Sequence, residues 1–199
     1  MTKIKYIGFG VIALLCLLFG YYAPITLKQQ SKQFQINRFQ NLFLEKEALL
    51  NEELSSFSKD FDFSQSSKYF ENLSYLDQSK SLSFYLLKQN ELIFWSDDNA
   101  AFNPLQLLES SNLIQAGNGW YYKQSIIKGD SLFVGLMLIQ TNFDHENKYL
   151  RNEIQGDFSF ELIKNIQPPS KYGFTINNSE GDAVFDLQLK TNDTVFDSL

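Results

Sequence analysis

The longest uninterrupted apolar run lies at residues 6–23, YIGFGVIALLCLLFGYYA, eighteen positions without a charge. At about 1.5 Å per residue, a helix of that length spans roughly 27 Å, close to the hydrocarbon thickness of a bilayer. Lys3 and Lys5 precede it, and Tyr21 and Tyr22 close it like an interfacial aromatic belt. Residues 6–23 are therefore expected to form a transmembrane helix, residues 1–5 a cytoplasmic tail, and the rest one domain. A cleaved signal peptide is the rival reading. Against it, Phe19, Tyr21 and Tyr22 put bulky rings where a cleavage site takes small residues. A buried core helix would carry a polar face, which this stretch lacks. Lys28, Lys32 and Arg38 beyond the span nearly balance the lysines before it. The N-terminal layout then decides the expected orientation: short tail inside, main domain outside.

Residues 24–61 read as a long helix, free of Gly and Pro from Lys28 onward. Ile36, Phe39, Phe43, Leu50, Leu54, Phe57 and Phe61 follow at intervals of 3, 4, 7, 4, 3 and 4, a heptad-like seam. Lys46 and Glu47 occupy the skipped turn. Leu42, Leu44 and Leu49 widen the apolar face, as in a helix that packs on a sheet. The alternative is a helix that pairs with its copy in a homodimer, and both can hold at different heights.

Residues 62–199 read as an α+β domain. A break at 60–67 leads to a short helix at 68–77. Two strand-sized runs, 82–87 and 92–95, flank the polar turn Lys88-Gln89-Asn90-Glu91 and signal a hairpin. A loop at 97–104 follows, with Phe102 tucked in and Pro104 starting a short helix through Leu108. Residues 112–116 enter the turn Gly117-Asn118-Gly119, and strands at 120–127 and 131–140 follow. The second of these is nearly all apolar and predicts a central strand. Residues 144–153 read as a short helix capped by Asp144, with Tyr149 and Leu150 toward the core. Residues 158–166 alternate weakly, and 172–176 with 183–189 form a last hairpin. Strand-turn-strand units without crossover helices predict a mostly antiparallel sheet.

Composition narrows the function classes. The 199 residues carry a net charge of −6 and no basic stripe, so nucleic acid is not an expected partner. Nineteen Phe and ten Tyr predict a packed core rather than disorder. The single cysteine, Cys16, lies in the expected span, so the domain folds without disulfides.

Candidate chemistry is sparse. His145 has Tyr149 where a zinc-protease helix needs its second histidine. Asp97 and Asp98 supply too few oxygens for a cation cage. Gly117-Asn118-Gly119 lacks the Gly-Lys-Ser/Thr of a phosphate loop. No catalytic, cofactor-binding or metal-binding residue is expected. Trp95, Trp120 and Tyr122 are the candidates for lining a small-molecule pocket, although aromatics on strands also serve as plain core.

The segment from Phe84 to Asp98, FYLLKQNELIFWSDD, resembles a pattern in membrane-bound sensor histidine kinases of Bacteroidota-type bacteria. So do Gly119-Trp120-Tyr121-Tyr122, the apolar strand after it, and ENKYLRNE at 146–153. The likeness extends over residues 3–189. It implies an N-terminal anchor and a long helix leading into an extracytoplasmic sensor domain of PAS-like or Cache-like fold. It implies an inner-membrane location and a signal relayed by helix movement. Members of that family continue into a second span, a phosphoacceptor region and an ATP-binding domain. The chain is thus expected to be the sensor end of a longer protein, or a truncated product, and the kinase residues map onto no position here. The alternative from another class is a single-pass envelope binding or scaffold protein with no kinase attached. An envelope hydrolase would need a catalytic constellation that the sequence does not show.

Overall fold

The computed structural model describes residues 2–62, 81–96, 103–170 and 173–190, with side chains from residue 29 onward. The chain forms two compact units, Met1–Arg38 and Phe39–Leu199. A single helix, α1, runs Thr2–Asp60 and passes through Pro24 without a break. Among residues described with their side chains, no helix is long and apolar enough to cross a membrane. The apolar stretch at 6–23 lies outside them, as do the short helix expected at 68–77 and the loop at 97–102.

The second unit is α+β, with antiparallel strands throughout. Five strands, β1 (Leu82–Lys88), β2 (Glu91–Trp95), β3 (Leu113–Ala116), β4 (Gly119–Lys128) and β5 (Ser131–Thr141), form one sheet in the order β2-β1-β5-β4-β3. The apolar run expected to be central is β5, the middle strand. The β1–β2 hairpin closes through Gln89 and Asn90, both at positive φ (50° and 68°), a turn whose twist suits antiparallel strands. Three further strands, β6 (Ile163–Gln167), β7 (Phe174–Asn177) and β8 (Ala183–Leu189), make a second sheet in the order β6-β8-β7. This separate sheet was not foreseen from the weak alternation of its first strand.

Cross-strand partners share a sheet face, so the register sorts the side chains. Leu82 and Tyr122 both pair with Met137, and Phe84 pairs with Gly135. This face meets α1: Phe57 lies 6.0 Å from Phe84, 5.4 Å from Phe94 and 5.3 Å from Phe133, ring centre to ring centre. Gly135 lets the helix approach, because a Cβ there would sit 2.8 Å from Leu50 Cδ1. Phe43 stands edge-on to Tyr122 of the first sheet at 4.9 Å and to Phe185 of the second at 5.4 Å. Phe39 stacks on Phe158 at 4.9 Å. The helix from Phe39 on is thus the core element shared by both sheets. Ile36, Phe39, Phe43, Leu50, Leu54 and Phe57 are all buried. The seam from Phe39 onward is therefore occupied within the chain and is not free for a partner helix.

The opposite face of the five-stranded sheet has its own core of Tyr85, Leu87, Ile114, Tyr121, Val134 and Leu136, closed by Leu107. Leu107 belongs to a 3₁₀ helix, Pro104–Leu108, where Pro104 gives the start expected from the sequence. A capping box holds it: Asn103 accepts from Leu105 N (3.0 Å), and Asn103 N donates to Gln106 Oε1 (3.0 Å).

The helix expected at 144–153 is an irregular loop. Asn147 Oδ1 accepts from Tyr149 N and Leu150 N (2.8 and 3.0 Å), and Glu146 Oε1 accepts from Asn152 N (2.7 Å). These side chains take the amides that a helix would need. Tyr149 and Leu150 consequently point to solvent, 80% and 41% exposed, rather than to the core.

Candidate functional site

The strand β4 presents two unusual polar groups on its two faces. Successive strand residues point to opposite sides. Tyr122 therefore faces α1, and Lys123, paired with Leu136, faces the outer core.

On the helix side, Glu47 of α1 is buried. Its carboxylate accepts from Tyr122 OH at 2.5 Å, from Ser179 N at 2.8 Å and from Gln124 Nε2 at 3.4 Å. One turn-pair earlier, Gln40 clasps Asn177 both ways, donating to its carbonyl (2.7 Å) and accepting from its amide (2.9 Å). Lys46 forms an ion pair with Asp157 at 2.6 Å. The skipped turn of the apolar seam thus grips the loop between β7 and β8 through Glu47 and the 3₁₀ turn before β6 through Lys46, and Gln40 holds the end of β7. Burial pushes the Tyr122 phenol well above its ordinary range, and the hydrogen bond to the Glu47 carboxylate and its charge add to the shift.

On the outer side, a cavity of about 420 Å³ opens between the sheet and the 3₁₀ helix. Leu87, Leu107, Leu108, Ile127 and Leu132 give it apolar walls, and Lys123, Glu109, Ser110 and Ser125 are among its polar groups. Lys123 is only 4% exposed. Its ammonium donates to the carbonyls of Leu107 (3.3 Å) and Glu109, tying down the end of the 3₁₀ helix. Burial pulls its pKa below that of an ordinary lysine, and the Glu109 charge offsets part of the shift. Asp130, at the rim, is 3.8 Å from Lys88. The volume is within the range of small-molecule pockets, and the lining is mixed polar and apolar. Among the described residues, no three His, Cys, Asp or Glu side chains converge as metal ligands.

The three aromatics expected to line a pocket do not come together. Trp95 pairs with Tyr85 on the outer face of edge strand β2 and is 48% exposed. Tyr122 is fully buried on the helix face. Trp120 is half-buried opposite Gln140, beside a register irregularity. None of them borders the cavity. The residues that sequence reasoning passed over are Glu47 and Lys123. Glu47 showed only as a gap in the apolar spacing. The signal for Lys123 was its place two residues after Tyr121, on an apolar strand face. No protein-family model, curated protein or solved structure matches this chain.

Proposed function

We propose that the chain is a membrane-tethered, extracytoplasmic sensing domain, the input portion of a two-component sensor histidine kinase of the inner membrane. The observation that carries this reading is α1, one helix from Thr2 to Asp60, which includes the charge-free stretch at 6–23 and whose later half is the core of the folded domain. In this reading, residues 6–23 cross the bilayer and residues 1–5 stay inside. The α+β architecture, with a long N-terminal helix on one sheet face and a hollow on the other, supports the PAS-like or Cache-like resemblance.

Strand β4 supplies the relay. A ligand in the outer cavity meets Lys123, and the next residue, Tyr122, holds Glu47 of the helix. A ligand shifts the helix only so far as its affinity differs between two helix arrangements. A homodimer through the long helix then uses the part before Phe39, where Phe34 is 65% exposed.

A single-pass envelope binding protein is the second reading. It is favoured by the burial of Phe39 and Phe43 in the chain's own core, which leaves the domain self-sufficient. Two experiments decide. Alkaline extraction of membranes from expressing cells should leave the chain in the lipid fraction, with the domain cut by protease added from outside. Release into the supernatant overturns the tether. Sequencing the gene beyond codon 199 separates the two readings: a second apolar span and a phosphoacceptor segment support the kinase, and a stop codon supports the binding protein.

A further inference from the structure

We infer that the outer cavity binds a small organic molecule through a carboxylate group, with Lys123 as the recognising cation and an apolar body against Leu107, Leu108 and Leu132. The inference rests on the binding-domain reading above and names the ligand class of the same site.

Three observations lead to it. The first is the state of the ammonium. A lysine ammonium has three donors. Lys123 spends two on the carbonyls of Leu107 and Glu109. Among the described residues, no carboxylate lies within ion-pair distance of it. It is thus 4% exposed, hydrogen-bonded to two neutral carbonyls, with the Glu109 carboxylate acting on it only from beyond ion-pair distance. Buried charges are ordinarily paired, because neutral partners offset little of the lost hydration. The second is placement. Lys123 lines the cavity, so a molecule seated there can accept a hydrogen bond from its third N–H. The third is the lining. Leu87, Leu107, Leu108, Ile127 and Leu132 supply the apolar part of the walls, and Ser110, Ser125 and Ser131 supply hydroxyl groups. A hollow with an apolar side and a buried cation that no carboxylate pairs at ion-pair distance favours an amphiphilic anion. The acidic groups at this site do not reverse the choice. Asp130 faces Lys88 at 3.8 Å, and Glu109 bonds Lys123 through its main-chain carbonyl while its carboxylate stays beyond ion-pair distance, offsetting only part of the burial effect. The two carbonyls hold the ammonium in place, so little side-chain ordering remains for the ligand to impose.

The test uses the full chain, isotope-labelled in detergent, titrated with hexanoate, hexan-1-ol and hexylammonium in parallel. The three probes share a six-carbon tail and differ only in the head group. Hexanoate should shift the amide resonances of Leu107, Glu109, Lys123 and Leu132 saturably, with an affinity about ten- to a hundred-fold above hexan-1-ol, the range for one charge-assisted hydrogen bond. Lys123→Met should abolish that advantage. Because this variant also loosens the 3₁₀ helix, Ser125→Leu serves beside it: it leaves the ammonium intact and fills the hollow, and should weaken all probes equally. Equal affinity for hexanoate and hexan-1-ol overturns the carboxylate assignment while leaving the tethered binding domain standing. Preference for hexylammonium overturns it in favour of the acidic rim. Failure of the membrane extraction experiment, by contrast, overturns the tether and leaves this assignment untouched.

Discussion

Removing the Glu47 carboxylate tests whether α1 is latched to the sheets by specific polar contacts or merely rests on them. In Glu47→Ala, the Tyr122 hydroxyl loses its acceptor at 2.5 Å, and Ser179 N loses the one at 2.8 Å. Tyr122 is fully buried, so its O–H keeps no route to water. An unsatisfied buried donor costs about 1–3 kcal/mol, and the partly exposed Ser179 amide adds roughly 1 kcal/mol, giving about 2–4 kcal/mol in all. For a domain of this size, each kcal/mol lowers the melting temperature by about 2–4 °C, so the drop should be roughly 4–16 °C. Tyr122→Phe leaves the buried carboxylate short of its shortest bond and should cost a similar amount. The double variant Glu47→Ala/Tyr122→Phe should be more stable than the sum of the two losses implies, by about 1.5–3 kcal/mol, the worth of a hydrogen bond to a charged group. Thermal unfolding of all four proteins, followed by near-ultraviolet circular dichroism, measures the cycle. Single losses that add within about 0.5 kcal/mol would show that the two groups do not interact, and the latch would fall.

Other perturbations probe the remaining joints. Gly135→Val should cost about 1–3 kcal/mol by driving a branched side chain into Leu50, and Leu50→Ala in the same protein should recover part of it in urea unfolding. Asp186 is buried, which alone would raise its pKa, but hydrogen bonds from the Ser170 hydroxyl, the Thr175 hydroxyl and Ser170 N outweigh that and hold it below the ordinary carboxylate value. Its stabilisation is complete above the ordinary carboxylate range and disappears as pH falls through the depressed folded value. Melting temperature should therefore decline more steeply with acid in the wild type than in Asp186→Asn; parallel curves refute this. Asn103→Ala should cost about 0.5–2 kcal/mol, confined to the 3₁₀ helix, and faster hydrogen exchange at Leu105 is its readout.

Period and composition carried the reading of the domain a long way. Alternation and turn chemistry located β1, β2, β4 and β5 to within a residue or two, because each is bounded by residues that tolerate a reversal, Gln89-Asn90 and Gly129 among them. The seam from Ile36 to Phe57 marked the buried stripe of the helix for the same reason. What it did not disclose was the use of the interruption. Lys46 and Glu47 look like a defect in an apolar spacing, because their partners, Asp157 and Ser179, lie more than a hundred residues away. Residues 144–153 misled for a local reason: the helix expected after Asp144 was overridden by the side chains of Asn147 and Glu146, which capture main-chain amides. The candidate pocket was sought by residue type, at Trp95, Trp120 and Tyr122, whereas strand alternation divides Tyr122 from Trp95 across the sheet. The cavity needs the 3₁₀ helix to be folded over β4, a long-range fact that no local pattern contains.

The clasp between α1 and the β7–β8 loop has a consequence for how the protein is made. Gln40 and Glu47 bond to residues 137 and 132 positions further along the chain. A ribosome adds about 5–20 residues each second, so the helix waits on the order of ten seconds for these partners. Throughout that interval Phe39 and Phe43 have no second sheet to cover them. Closing so long a loop is also a late and slow event in folding. Nascent chains halted before residue 177 should accordingly be held by chaperones and digested readily, and those extended past residue 189 should become resistant in one step.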